Sequence, residues 1–273
     1  MLQIMSEKKP FDLHMHTTAS DGVYSPAEMV RKGHEAGLKL IAITDHDTLA
    51  GIEEGKAEAE KLGITFISGV EISTKYEGIS VDILGYGVTS NARLNDVLLS
   101  LRDGREDRAL RIIQKFNDIG MPITMEDVLE FSGKGVIARP HIARAIVKKG
   151  YVNEYQKVFD DYLADGKPCC IDKVILTPQE GIELIRESGG VAVLAHPVLI
   201  GDDELVGRLI EENHFDGIEV WHRKQDFNDQ KRYMEMAQQY GLMTTGGSDF
   251  HTDEHKLGQF GINWNEIIVD RGA

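Results

Sequence analysis

The sequence predicts an α/β protein, a barrel-like domain interrupted by a helical insert, and three observations carry that prediction. Short apolar runs that read as strands alternate with amphipathic helical patterns, which implies parallel βαβ units. The alternation stops after about residue 90 and resumes near residue 171, and the stretch between holds long helical patterns with few strand signals. Polar residues able to bind metal or carry protons gather at the C-terminal ends of the strand-like runs, the rim on which α/β barrels build their sites. The barrel is therefore expected over 1–100 and 171–273, and the helical insert over 101–170.

Taken in order, FDLHMH at 11–16 reads as a short strand. Ser25-Pro26-Ala27-Glu28 fits a capping box with Ser at N-cap, Pro at N1 and Glu at N3, opening a helix that runs to about Ala36 before Gly37. LKLIAIT at 38–44 is apolar and short enough for a buried strand. A helix is expected at 50–62, then strands at 64–72 and 79–87. LNDVLLSLRDGREDRALRIIQKFNDIG begins the helical stretch. Past it come a helix at 177–188, the strand-like GGVAVLAHP, and FDGIEVWH and GLMTTGGSDFH as two further strands around a helix at about 226–240. Internal repeats and low-complexity linkers are absent.

Composition bounds the function. A chain of 273 residues is long enough to bury roughly three quarters of its unfolded surface. No apolar run approaches the roughly 18 residues of a membrane span. The start, MLQIMSEKKP, lacks the apolar region of a secretory signal, so a cytoplasmic protein is expected. Cys169 and Cys170 are adjacent, offer no disulfide framework, and read as packing residues. A formal charge of −15 argues against binding duplex nucleic acid, which draws affinity from Lys and Arg. It leaves small anionic substrates open, because bound cations are outside the sum. Composition leaves the oligomeric state undetermined.

His14 and His16 stand two apart on a strand, where side chains i and i+2 share a face and two imidazoles reach one ion. In isolation that spacing is more often met by a solvated or hydrogen-bonded pair. The pattern gains weight because Asp45, His46, Glu71, His196, His222, Asp249 and His251 also fall at or just beyond strand ends. Imidazoles with hard carboxylates suit Mn, Fe or Zn, and a carboxylate can join two ions.

The runs HMHTTASDG, TDHDT, GVEIS, AHP and GSDFH, in that order over nearly the whole chain, resemble the polymerase and histidinol phosphatase (PHP) superfamily, in particular its stand-alone phosphoesterase branch. The resemblance implies a distorted (β/α)7 barrel with two or three divalent ions. It implies that His14, His16, Glu71 and Asp249 bind one, that Glu71 bridges to a second also held by His196, and that Asp21, His46 and His251 hold a third. Where the branch usually reads HILGY, this chain reads Asp82-Ile83-Leu84-Gly85-Tyr86. Asp82 is then either a substituted ligand or a displaced, solvent-facing carboxylate. An Asp here resembles the subgroup that hydrolyses phosphoribosyl 1,2-cyclic phosphate.

Ala138-Arg139-Pro140-His141 and Gly166-Lys167-Pro168 match segments that grip a substrate phosphate in the same branch, and Arg223 beside His222 is a third candidate cation. Arg suits bidentate phosphate recognition and Lys acts as a point charge. Arg139 could instead pair with a helix end, and Lys167 and Arg223 could be solvated surface charges. The implied chemistry is metal-assisted hydrolysis of a small phosphorylated substrate, in which coordination lowers the pKa of bridging water to ~7 and the hydroxide attacks phosphorus in line. Glu71 and His222 are the candidate catalytic residues, His222 serving either as acid to the leaving oxygen or as a hydrogen-bond partner of a ligand. Alternatives are a nucleoside 3',5'-bisphosphate phosphatase, a 5'-3' exonuclease on oligoribonucleotides, and, from another class, a non-catalytic metal-binding regulatory domain. His34, His214 and His255 match no motif and read as surface or helix residues.

Overall fold

The computed structural model describes residues 10–132, 137–164, 166–171 and 176–258, with side chains 102–107 left aside. Their contacts divide the chain into two compact units, Met1–Asp96 with Ile175–Ala273, and Val97–Val174.

The first unit is a nearly closed seven-stranded barrel with helices around it. Its strands are β1 (Phe11–Asp12), β2 (Leu40–Ile43), β3 (Thr65–Tyr76), β4 (Ile79–Tyr86), β5 (Val191–Leu194), β6 (Gly217–His222) and β7 (Met243–Gly247), neighbours in sequence order. α1 (Pro26–Glu35), α2 (Ile52–Leu62), α7 (Pro178–Glu187), α8 (Asp203–Asn213) and α9 (Phe227–Tyr240) accompany them. Both faces of β2 meet apolar partners, as parallel strands covered on both sides require. Leu40 and Ala42 turn into the barrel with Phe11, Leu13, Ile67, Leu84 and Val193, while Ile41 and Ile43 pack outward with Met29, Val30 and Ala59 of α1 and α2.

Local chemistry sets the ends of the elements. Ser25 caps α1 by accepting from Glu28 N, and Glu28 accepts in return from Ser25 N at 2.8 Å, the box legible in the sequence. Asp226 caps α9 in the same way through Asp229. One strand departs from the parallel pattern: β4 runs antiparallel to both β3 and β5. The cause is the two-residue turn Glu77-Gly78, both at positive φ (47° and 86°), which is the hairpin geometry that matches strand twist.

The barrel closes where β7 returns to β1. Leu13 N donates to Gly246 O, and Met15 bridges to Phe250. At Gly247 an added Cβ would lie 2.1 Å from His14 Cβ, so only glycine permits this approach. Asp12, wholly buried, accepts from the backbone N–H groups of Ser248, Gly258 and His14 and so ties the two ends together. Burial pushes its carboxyl up to about 6 against the opposing pull of those hydrogen bonds.

The second unit contains most of α3 (Ala92–Asp118), then α4 (Met125–Ser132), α5 (Arg139–Lys148) and α6 (Tyr155–Val158), which runs into a π-helical turn at Phe159–Leu163. It has its own core, in which Phe116, Val128, Ile142, Ile146, Val158 and Cys169 are buried. Cys170 is half-buried.

Asp12→Ala should remove the acceptor of three buried N–H groups and lower unfolding free energy by roughly 2–4 kcal/mol. A lower urea midpoint at unchanged slope is the expected result.

Candidate metal centre

Glu71 is the middle of the site. It lies on β3, is 1% exposed, and stands 3.3, 3.1, 3.2 and 3.0 Å from ring nitrogens of His14, His16, His46 and His196. His14 and His16 reach it together because the chain stays extended beyond β1. His46 follows β2, and its backbone bridges to Glu71. His196 follows β5, and Asp249 and His251 follow β7. His196 (φ 25°) and Asp249 (φ 51°) adopt left-handed backbone, a conformation that costs energy and recurs at functional sites.

Three groups of donor atoms lie close enough to share an ion. They are His14, His16, Glu71 and Asp249; Glu71, Asp82 and His196; and His16, Asp21, His46 and His251, each with atoms within 4.8 Å of one another. Glu71 belongs to two groups, as does His16. Asp82 enters from the first half of β4, whose reversed direction brings that half to the rim where the other strands end. Asp45 belongs to none of the groups. It accepts from Thr17 N, Thr17 Oγ1 and Ser20 Oγ at 2.7, 2.7 and 2.6 Å, holding the loop that carries Asp21.

The groups fit divalent ions. Both nitrogens of His16 and Nδ1 of His46 are buried yet make no hydrogen bond, although carboxylate oxygens lie 3.1–3.6 Å away. Buried polar atoms are normally satisfied, so unpaired ring nitrogens that face carboxylates mark places for a cation. Electrostatics agree. Burial disfavours charge on His16, but the Asp249 and Glu71 carboxylates beside it outweigh that and raise its pKa to about 10. His196, similarly opposed by burial, is raised by Glu71 to about 9. Burial works against charge on Glu71 and Asp249 too, and the surrounding imidazoles hold both well below the ordinary carboxylate range. The metal-free cluster thus holds protons that ions displace.

Glu219 was missed by motif reading. It is fully buried on β6, and its Oε1 accepts from His14 Nδ1 at 3.1 Å while Oε2 accepts from His196 N at 2.8 Å. This assigns the Nδ1 proton of His14 and frees Nε2 to face Glu71 and Asp249, the arrangement that orients metal-binding histidines. The signal was a lone acid inside the apolar strand GIEVW. His255, read as a surface or helix residue, instead accepts from His251 N through Nδ1 at 3.1 Å. His34 and His214 are exposed.

The other candidates are placed as follows. His222 is buried; its Nδ1 accepts from Lys224 N, so Nε2 carries the proton toward Asp249 Oδ2 at 3.3 Å. Arg223 donates to the same oxygen at 2.7 Å. Arg139 and Lys167 belong to the second compact unit, where Arg139 donates to Leu163 O and Lys167 is exposed. No helix among the described residues is long and apolar enough to cross a membrane.

The model of the PHP domain matches residues 12–166, and the chain belongs to that family. It is a metal-dependent phosphoesterase, hence a hydrolase. It is similar to a 5'-3' exoribonuclease of Haemophilus influenzae, 35% identical over 89% of this chain and 90% of that one. It is also similar to a 3',5'-nucleoside bisphosphate phosphatase of Chromobacterium violaceum, 32% identical over 88% and 86% of the two chains. A third relative, the phosphoribosyl 1,2-cyclic phosphate 1,2-diphosphodiesterase of Eggerthella lenta, is 30% identical over 88% and 93%. A solved structure from Bifidobacterium adolescentis described as a metal-dependent phosphoesterase aligns with a TM-score of 0.80 at 32% identity, covering 92% and 91%.

Glu219→Ala should weaken metal binding by about 10–100-fold, read by titrating Mn into metal-free protein, with thermal melting as the check on folding. Metal uptake at pH 7 should release protons, since His16 and His196 titrate at about 10 and 9 without metal. Affinity should fall as pH drops, because protons then compete for the same nitrogens. Acidification of a weakly buffered sample on adding Mn is the measurement.

Proposed function

We propose that the protein hydrolyses a phosphate ester on a ribose that carries a second phosphate, with a nucleoside 3',5'-bisphosphate or a short RNA as substrate. The observation that carries this reading is the set of three donor groups joined through Glu71 and His16, which can gather two or three divalent ions, Mn, Fe or Zn, around one phosphorus. The choice of substrate draws on the relatives. An internal nucleotide of RNA carries phosphates on both its 3' and 5' oxygens, as a nucleoside 3',5'-bisphosphate does, so the exoribonuclease and the bisphosphate phosphatase share one substrate fragment.

His14, His16, Asp21, His46, Glu71, Asp82, His196, Asp249 and His251 would hold the ions. Divalent ions in such a site supply acidified water and neutralise charge on phosphate oxygens. The remaining work falls to the chain. Glu219 holds His14 in the required tautomer. His222 and Arg223 both donate to Asp249 Oδ2 and fix that carboxylate, which suits His222 to positioning rather than to proton transfer. Burial of His14, His16 and Glu71 excludes bulk water and strengthens each attraction in the cluster. Arg139 and Lys167, on the strength of their motif match, are further phosphate-binding cations of the helical insert.

A cyclic phosphodiester such as phosphoribosyl 1,2-cyclic phosphate, taken to ribose phosphate and inorganic phosphate, is the second reading. It is favoured by Asp82, which stands in a ligand group with Glu71 and His196.

The test is a panel with Mn supplied: adenosine 3',5'-bisphosphate, a short RNA, phosphoribosyl 1,2-cyclic phosphate and the adenosine monophosphates. The expected outcome is a kcat/KM for the bisphosphate or the RNA about tenfold or more above that for the monophosphates, equivalent to one charge-assisted hydrogen bond, with all turnover lost to a chelator. Turnover of the cyclic ester alone establishes the second reading. No turnover of any of them defeats both. Asp82→His should move the ranking away from the diester and toward the more anionic bisphosphate and monophosphates, because it removes one negative charge from the ligand set.

A further inference from the structure

Beside the ligand groups, a polar pocket of about 410 Å³ is lined by His222, Arg223, Lys224, Gln225, His255 and Lys256, with Gln230 and Glu254 completing its wall. Three of its eight lining residues are cations and one is an acid, in a chain whose net charge is −15. Lys224 and Lys256 form no ion pair among the described residues. Unpaired cations converging on a concavity raise the local concentration of anions. Gln225 adds a second, independent feature. It is 6% exposed, its Nε2 donates to Glu219 O, and its Oε1 is buried with no partner. A buried acceptor left unsatisfied calls for a donor from a ligand or water. The pocket adjoins the metal centre directly, since His222 and Arg223 line it and both donate to Asp249.

We propose that this pocket is the subsite for the substrate's second phosphate, the one that is not hydrolysed. Lys224 and Lys256 supply its counter-charge, and Gln225 forms part of its wall. The assignment rests on the reading of the substrate as a ribose bearing two phosphates. It makes Lys224, Gln225 and Lys256 specificity-determining residues, whereas Arg223 stands at the boundary between pocket and metal centre. A phosphate there comes either from a free bisphosphate or from the next phosphodiester of an RNA.

The experiment uses the full chain loaded with Mn and the variants Lys224→Ala, Lys256→Ala, the double variant and Lys224→Arg. The preference for adenosine 3',5'-bisphosphate over the adenosine monophosphates, as a ratio of kcat/KM, should fall about tenfold for each alanine variant. The loss should appear in KM more than in kcat, and Lys224→Arg should restore most of it. Short RNA run in parallel distinguishes the sources: a larger KM increase for the RNA assigns the pocket to the following phosphodiester, and a larger increase for the bisphosphate assigns it to a terminal phosphate. Equal losses on mono- and bisphosphate, or no loss on either, overturn the subsite. Titration of adenosine 3',5'-bisphosphate into metal-free wild type and variants separates this from failure of the broader reading. Binding weakened in the variants, with no hydrolysis by wild type, keeps the pocket and overturns the proposed reaction. Binding unchanged in the variants overturns the pocket.

Discussion

A buried carboxylate needs compensating charge, and the organisation of this barrel rim follows from that need at Glu71. Alone in an apolar barrel mouth, an ionised Glu would take up a proton. Four imidazoles at 3.0–3.3 Å keep it ionised, and each imidazole requires a further acceptor or ion in turn. The requirement spreads outward to Asp249, Asp21 and Asp82, and one layer further to Glu219 and Arg223. Cations bound among these groups replace protons as the balancing charge, so metal binding and the stability of the cluster are one electrostatic problem.

The backbone supplies this cluster by ordinary means. Closure of β7 on β1 brings Asp249 and His251 against His14 and His16, and that closure depends on glycine at 247 and on Asp12 satisfying N–H groups from both ends. Reversal of β4 through a two-residue turn places Asp82 at the same rim as residues that follow parallel strands. Left-handed backbone at His196 and Asp249 aims these side chains inward at a local cost carried by the hydrogen bonds around them. The ligands sit on or just past hydrogen-bonded strands, a placement that keeps donor atoms converging.

Beside this acidic, metal-suited centre, the basic pocket of Lys224 and Lys256 stands out in charge. On the proposed reading the two regions would divide the recognition of an anionic substrate: the centre would address the reacting phosphorus, the pocket a remote group. They meet at Arg223, whose guanidinium is anchored on Asp249. Coupling of this kind lets remote binding position the reacting ester, where orientation contributes much of the rate.

Much of this was legible in the sequence because it depends on local pattern. The capping box at Ser25, the strand-like LIAI flanked by helices, and the polar residues after each strand are properties of a few adjacent side chains. They announced an α/β barrel with a metal-suited rim. The direction of β4 was partly encoded too, since no helix separates it from β3, but pairing of two strands is settled only by the turn geometry. Glu219 left only the faint signal of a lone acid in an apolar strand, and the role of Asp12 left none, because a buried acid differs from an exposed one only through neighbours far away in the chain. The sequence by itself determined which residues can bind metal and which strand ends they occupy, because periodicity and residue chemistry are local. Tertiary structure alone decided that the donor atoms of each group lie within reach of one another, which acid orients them and where cations gather in a pocket, because those depend on distances across the barrel mouth.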